Sequence, residues 1–173
     1  MRRILCQSNL DLLREIGRLK SAWSSVSVPA ELSAYHSRVA QDCCSFREQV
    51  LRNLRDLDLN KEDTLSDILS DTQRVTRDFQ LYNRRLAGPI LRWLESDRLC
   101  LRIIAWLHTS HPQTQNIPAG LSNEEFGIWP APLYPVVYFM PASAQYGLLY
   151  LPLFFHEFGH LLYACCKGEA NYI

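Results

Sequence analysis

Two histidines and a glutamate stand at a spacing that can bind a metal ion and activate water. The chain reads His156, Glu157, Phe158, Gly159 and His160 in succession. On a helix, residues i and i+4 lie on the same face, so both imidazoles can reach one ion. Zinc accepts neutral imidazole nitrogens at about 2.0–2.1 Å, and Glu157 can take a proton from a water held by that ion. These residues predict a Zn²⁺ site with His156 and His160 as ligands and Glu157 as the general base.

The residues that flank this pattern are apolar, at positions 153–155 before it and 161–163 after it. The alternative is a chance match on a buried helix. The apolar flanks make chance less probable, because a zinc-binding helix packs in a core whereas a charged triplet on a solvent-exposed face needs no apolar neighbours. The helix is predicted to end at Lys167 and Gly168, a cation followed by a glycine stop. Its start has two interpretations, because Pro152 is either a first-turn proline or a kink in a helix from Ser143.

The pattern resembles the zincin superfamily of metallopeptidases, over about twenty residues around the motif. The resemblance implies hydrolysis of peptide bonds in a peptide or protein substrate. It also implies that His156 and His160 bind zinc and that Glu157 is the catalytic base. The metzincin extension is absent, because Tyr163 and Cys166 stand where that subfamily has a glycine and a third histidine.

A third zinc ligand is not evident, although catalytic zinc usually has three protein ligands and a water. Glu169 is one candidate. A helix that continues from His160 to Lys167 carries the chain about 10 Å from the metal, at 1.5 Å per residue. A glutamate side chain spans about half of that distance, which disfavours Glu169.

His108 and His111, at the end of a predicted helix, are further candidates for this ligand, and Cys100 is a weaker one. A helix-end cation that interacts with the helix dipole is the alternative interpretation of the two histidines. Zincins of the glutamate class take their third ligand from a following helix. We therefore expect the third ligand beyond Ile173, in a longer metalloprotein of which this chain is a part.

The composition indicates an ordinary globular protein. Its 173 residues fit one domain, or one domain with an extension, and 47% of them are hydrophobic. The formal net charge is zero, which gives no indication of nucleic acid or an anionic membrane as partner. The six cysteines form no disulfide framework and no signal peptide follows Met1, so we expect reduced thiols and a cytoplasmic location.

Apolar residues recur at intervals of three and four through the first 110 residues, which predicts helices. Pro29, residues 60–63 and the pair Gly88 and Pro89 divide this region into four helices, the last over residues 90–108. Short breaks favour antiparallel packing within one chain, with an oligomeric coiled coil as the alternative. The predicted stripes include Leu5, Leu12, Ile16 and Trp23, then Tyr35, Val39, Cys43 and Val50, then Ile68, Thr72, Val75 and Phe79.

The expected fold is mainly α, with an antiparallel helical bundle over about residues 3–110 and a small α+β zincin-like segment after it. The domains are a bundle at 1–110, a proline-rich connecting loop at 111–135 with one strand at most, and a partial metal-binding segment at 136–173. Residues 136–140 predict a short strand. The resemblance implies that this strand is an edge strand that pairs with extended substrate; a core strand without substrate contact is the alternative.

Three functions fit these observations. The first is a zinc-dependent peptidase, with weak or no activity in this chain alone because the ligand set is incomplete. The second is a helical interaction protein with a structural or vestigial metal site, which binds a protein partner or a second copy through its helical region. The third is a site-2-type intramembrane protease, whose membrane helix carries a similar motif. Pro152 and the lack of a flanking basic cluster disfavour the third.

Overall fold

The protein is mainly helical with a small three-stranded sheet, in a computed structural model that describes residues 1–59, 65–91, 98–131, 134–141 and 148–167. The helices are α1 (Arg2–Ser25), α2 (Ser33–Asp58), α3 (Leu65–Tyr82), α4 (Gly88–Leu91), α5 (Arg98–Ser110) and α6 (Leu151–Lys167). The strands are β1 (Ala119–Ser122), β2 (Gly127–Ala131) and β3 (Tyr134–Phe139). Two compact units result, the first from Met1–Val26 with Val39–Ala87 and the second from Ser27–Arg38 with Gly88–Ile173.

The first unit is a bundle of α1, α3 and most of α2. Leu5, Leu57 and Ile68 form one buried cluster, so the start of α1, the end of α2 and the start of α3 lie together. This arrangement makes α2 antiparallel to both other helices. The stripes predicted from apolar spacing are buried within this single chain, which supports the intramolecular interpretation.

Three buried polar side chains connect the helices of the first unit. The Asn9 side-chain amide donates to the Leu5 carbonyl at 2.9 Å and to the Thr72 hydroxyl at 2.9 Å. The Asn53 amide also donates to the Thr72 hydroxyl, at 3.4 Å. A buried polar group is costly unless it is hydrogen-bonded, so these contacts tie α1, α2 and α3 together at one level of the bundle.

The cysteines behave as the composition suggested. No disulfide joins the six residues, all of which lie in the described ranges. Cys43 is buried among the apolar positions of α2. Burial, followed by the neighbouring charge of Asp42, raises the pKa of the Cys43 thiol to about 11. This side chain therefore acts as a small hydrophobic group.

The second unit contains the sheet, in the order β1-β3-β2. β1 is parallel to β3, with Leu121 opposite Tyr138, and β2 is antiparallel to it, with Ile128 opposite Tyr138. A strand was predicted at 136–140, and β3 confirms it. The edge-strand role implied by the resemblance is wrong for β3, because strands pair with it on both sides. Its continuous run of buried residues is typical of a strand covered on both faces.

The prediction of a connecting loop over 111–135 is also wrong, because this segment contains β1 and β2. Two of its prolines lie where a sheet tolerates them. The Pro118 carbonyl accepts a hydrogen bond from the Val136 amide at 2.9 Å, just before β1. Pro130 stands at an irregularity in the register of β2, at the edge of the sheet. Prolines are found at edge strands and bulges because they cannot donate a ladder hydrogen bond.

The helix predicted over 90–108 corresponds to parts of α4 and α5, which belong to the second unit. α5 packs on β1, so the bundle does not extend to residue 110. Gly120 allows a close approach here, since a Cβ atom at this position would lie 3.0 Å from the Tyr35 ring. Across the described ranges, no helix has the length and apolar character needed to cross a membrane.

Candidate metal centre

α6 carries the histidine pair and begins at Leu151. Pro152 therefore lies in the first turn, where its missing amide proton would have no helical acceptor. A short 3₁₀ turn, Leu148–Tyr150, precedes the helix. The first-turn interpretation of Pro152 is confirmed, and His156 lies in the second turn of the helix.

One face of α6 fixes the helix to the second unit. Phe154, Phe158 and Leu161 are buried at helical spacing. The Phe154 ring lies 6.3 Å from the Tyr138 ring, and the Phe158 ring lies 5.6 Å from His108, measured between centroids. Anchoring this face directs the motif histidines to the exposed side of the helix.

His156 and His160 bring their Nε2 atoms within 3.1 Å of each other. Both side chains are exposed, and their ring planes are 84° apart. Two nitrogens bound to one tetrahedral zinc at 2.0–2.1 Å lie about 3.3 Å apart. The pair therefore fits zinc after a shift of a few tenths of an ångström. In the metal-free chain, the same geometry lets one ring donate an N–H to the other.

Glu157 lies on the flank of the helix between the exposed histidines and the buried face. Its side chain is half-buried. Burial, and then the negative charge of Glu157, raise the pKa of the Tyr138 phenol. The Glu157 carboxylate is therefore close enough to the buried Tyr138 ring to affect its pKa. Glu157 also follows directly after His156 in the chain.

No third ligand joins the pair within the part of the chain that the structure describes. There, no three His, Cys, Asp or Glu side chains come together at a separation that suits one metal ion. His108, His111 and Cys100 thus do not complete the site in this structure. Glu169 and the predicted end of the helix at Gly168 lie outside the described residues.

His108 has a structural role instead. Its Nε2 lies 2.9 Å from the Tyr138 hydroxyl, and its Nδ1 lies 3.3 Å from the Thr114 carbonyl. Since a carbonyl only accepts, Nδ1 donates to Thr114 and Nε2 accepts from Tyr138. Burial lowers the pKa of His108 despite its backbone hydrogen bonds. The helix-end cation interpretation is therefore wrong for His108, because burial favours the neutral ring.

The lowered pKa of His108 predicts a loss of stability in acid. The unfolded chain protonates this ring near its ordinary pKa of about 6.5, before the folded chain does. Stability rises with pH wherever the unfolded state binds more protons. The free energy of unfolding should fall as the pH drops from about 6.5 through the folded pKa, with a slope from this ring of at most about 1.4 kcal/mol per pH unit.

Urea unfolding followed by circular dichroism between about pH 5 and 8 measures this slope. His108→Gln removes the titrating ring and should flatten the profile in that range. Thr109→Ala, an exposed and non-titrating position on the same helix, is the control and should keep the wild-type slope. Equal slopes in wild type and His108→Gln would contradict the assignment.

Sequence reasoning missed the contact between Tyr138 and His108 beneath the motif helix. In the sequence, the only indication of this contact was His108, near the end of an apolar helix. Comparison with protein-family models, curated proteins and solved structures found no match to this chain. The motif and its geometry are therefore the basis for assigning a function.

Proposed function

We propose that His156, Glu157 and His160 form the catalytic centre of a zinc-dependent peptidase of the zincin type. The observation that carries this proposal is the 3.1 Å separation of the two Nε2 atoms on an exposed helix face. The exposure of both histidines also supports the proposal, because a polypeptide substrate must reach the site. The half-buried Glu157 completes the set of residue types that the reaction needs.

Zinc at this pair would lower the pKa of a coordinated water to about 7 and polarise the substrate carbonyl. The two imidazoles would hold the ion through their Nε2 atoms. Glu157 accepts the proton of the attacking water and then donates it to the leaving amine. Packing of Phe158 on His108 fixes the rotation of the helix, so these three side chains keep their relative positions.

A substrate-binding edge fits β2 better than β3. β2 pairs with β3 on one side and, among the described strands, has no partner on the other. It also contacts α6. An extended peptide can add to such an edge through main-chain hydrogen bonds. We therefore assign to β2 the pairing role that the resemblance placed on residues 136–140.

A metal site without catalysis is the second candidate function. The observation that favours it is the ligand count, because only two histidines converge within the described residues. Such a site would bind zinc and leave peptides intact. The second unit would then serve as a metal-dependent structural element.

The two candidates are separated by a zinc titration coupled to a cleavage assay. The chain is titrated with zinc by calorimetry and incubated with a mixed peptide library, with and without a chelator. The peptidase predicts zinc binding and chelator-sensitive cleavage. Zinc binding without cleavage at saturating metal supports the structural site and overturns peptidase activity of this chain.

A further inference from the structure

The exposed face of α6 is apolar around the two histidines. Leu153 lies one turn before His156 and is 37% exposed, and Tyr163 lies one turn after His160 and is 58% exposed. Leu149, at the preceding 3₁₀ turn, is 92% exposed. An apolar surface that surrounds metal-binding side chains is typical of a protein contact rather than a solvated helix face.

Gly159 marks the point where a second helix can approach closely. Glycine inside a helix costs about 1 kcal/mol relative to alanine. A Cβ atom at Gly159 would meet nothing within 4 Å, apart from the local helix backbone and chain neighbours. Packing against the described residues therefore does not require a glycine here. Its lack of a side chain leaves space beside the two exposed imidazoles.

The ligand count of the histidine pair is the argument for what could occupy this space. Zinc in structural sites is almost always bound by four protein ligands in a tetrahedron. Within the described residues, this chain offers two that converge. A second copy, related by a two-fold axis through the ion, would supply the other two from the same residues.

We propose that two copies of this chain bind one zinc ion between the exposed faces of their α6 helices, with His156 and His160 of each copy as the four ligands. The two-fold axis passes between the histidines, so the helices run antiparallel. Leu153 then faces the partner's Tyr163, and Tyr163 faces the partner's Leu153. This contact differs from the one expected from the sequence, which placed self-association in the helical bundle predicted at residues 1–110.

The proposal depends on zinc binding by the histidine pair, which the proposed function shares, and not on peptidase activity. Four imidazoles leave no coordination position for a water. The dimer is therefore an inactive form that is favoured when zinc is scarce relative to chain. Excess zinc supplies one ion per chain and separates the copies, which reopens the positions that hydrolysis needs.

Sedimentation velocity at a fixed chain concentration, with zinc added from zero to several equivalents, tests this proposal. We expect monomer without zinc, a maximum of dimer near half an equivalent, and a return to monomer in excess. Equilibrium dialysis at the maximum should give one zinc per two chains. Both measurements are independent of catalytic activity.

Gly159→Leu is the discriminating variant, because a leucine side chain obstructs the second helix but meets no described neighbour in its own chain. It should bind zinc as a monomer and form no dimer. Gly17→Leu is the matched control, since Gly17 is also an exposed helical glycine with nothing within 4 Å. This control should dimerise as the wild type does.

The outcomes separate the two proposals. One zinc per chain in a monomer at every ratio overturns the dimer and leaves the peptidase standing. No zinc binding by the folded chain overturns both. A dimer that forms equally well without zinc, or that persists in Gly159→Leu, also overturns the four-histidine site.

Discussion

Replacing Glu157 by glutamine should leave zinc binding intact and reduce peptide hydrolysis by about 10²–10⁴-fold, the usual contribution of a general base. Glutamine has nearly the same shape as glutamate, but its amide cannot accept a proton from water at neutral pH. The two motif imidazoles lie on the exposed face of α6 and should keep their geometry. The measurement is kcat/KM in wild type and variant at saturating zinc, with calorimetry for the metal affinity.

Glu125→Gln is the matched control, since it removes an exposed carboxylate of the second unit. It should retain full activity. Unchanged hydrolysis in Glu157→Gln would remove the residue from the reaction. Loss of zinc together with activity would instead make Glu157 part of the metal site, against the geometry described above.

Substitution of either motif histidine by alanine should lower zinc affinity by at least about tenfold, since removing even a supporting partner of a ligand costs 10–100-fold. The physical reason is the loss of the chelate. With one imidazole left, the ion keeps a single protein ligand among the described residues. Calorimetric titration of His156→Ala and His160→Ala measures the effect, and far-UV circular dichroism verifies that both variants are folded.

His36→Ala provides the control for a general effect of removing a histidine. It lies on α2, away from the motif helix in sequence, and should bind zinc as the wild type does. Wild-type affinity in either motif variant would mean that the ion binds elsewhere. The assignment of both His156 and His160 would then be wrong.

The helices were the most predictable part of the fold, because a helix shows its buried face in local spacing. The intervals between Leu12, Ile16 and Leu19 are enough to define one side of α1. The break at Pro29 also agrees with the structure, since α1 ends at Ser25 and α2 begins at Ser33.

The sheet was not predictable in the same way, because strand pairing joins residues that are distant in the sequence. Ala119 pairs with Val136 and Gly127 with Phe139, and no local pattern encodes either contact. The density of prolines suggested a loop. Two of them, Pro118 and Pro130, lie just before a strand and at an edge irregularity, where a missing amide proton costs little.

The motif spacing predicted the convergence of His156 and His160, because this depends only on helix geometry. The surroundings depend on tertiary packing and could not be inferred. Phe158 was an unspecified position in the motif, yet it anchors the helix against His108. The exposure of the histidine face was likewise not visible, since the apolar flanks had suggested a helix packed in a core.

The hydrogen-bonded group of Asn9, Asn53 and Thr72 has a consequence for how the three helices find their alignment. Sliding α1 along α3 by one turn, about 5.4 Å, would remove the hydrogen bond from the Asn9 amide to the Thr72 hydroxyl. Asn9 would keep its bond to the Leu5 carbonyl, and Thr72 would keep its bond from α2. One such hydrogen bond is worth about 0.5–1.5 kcal/mol. Its loss reduces the population of the shifted arrangement by roughly twofold to tenfold, at tenfold per 1.4 kcal/mol. A uniformly apolar seam would accept several alignments with nearly equal energy, whereas this one favours a single alignment.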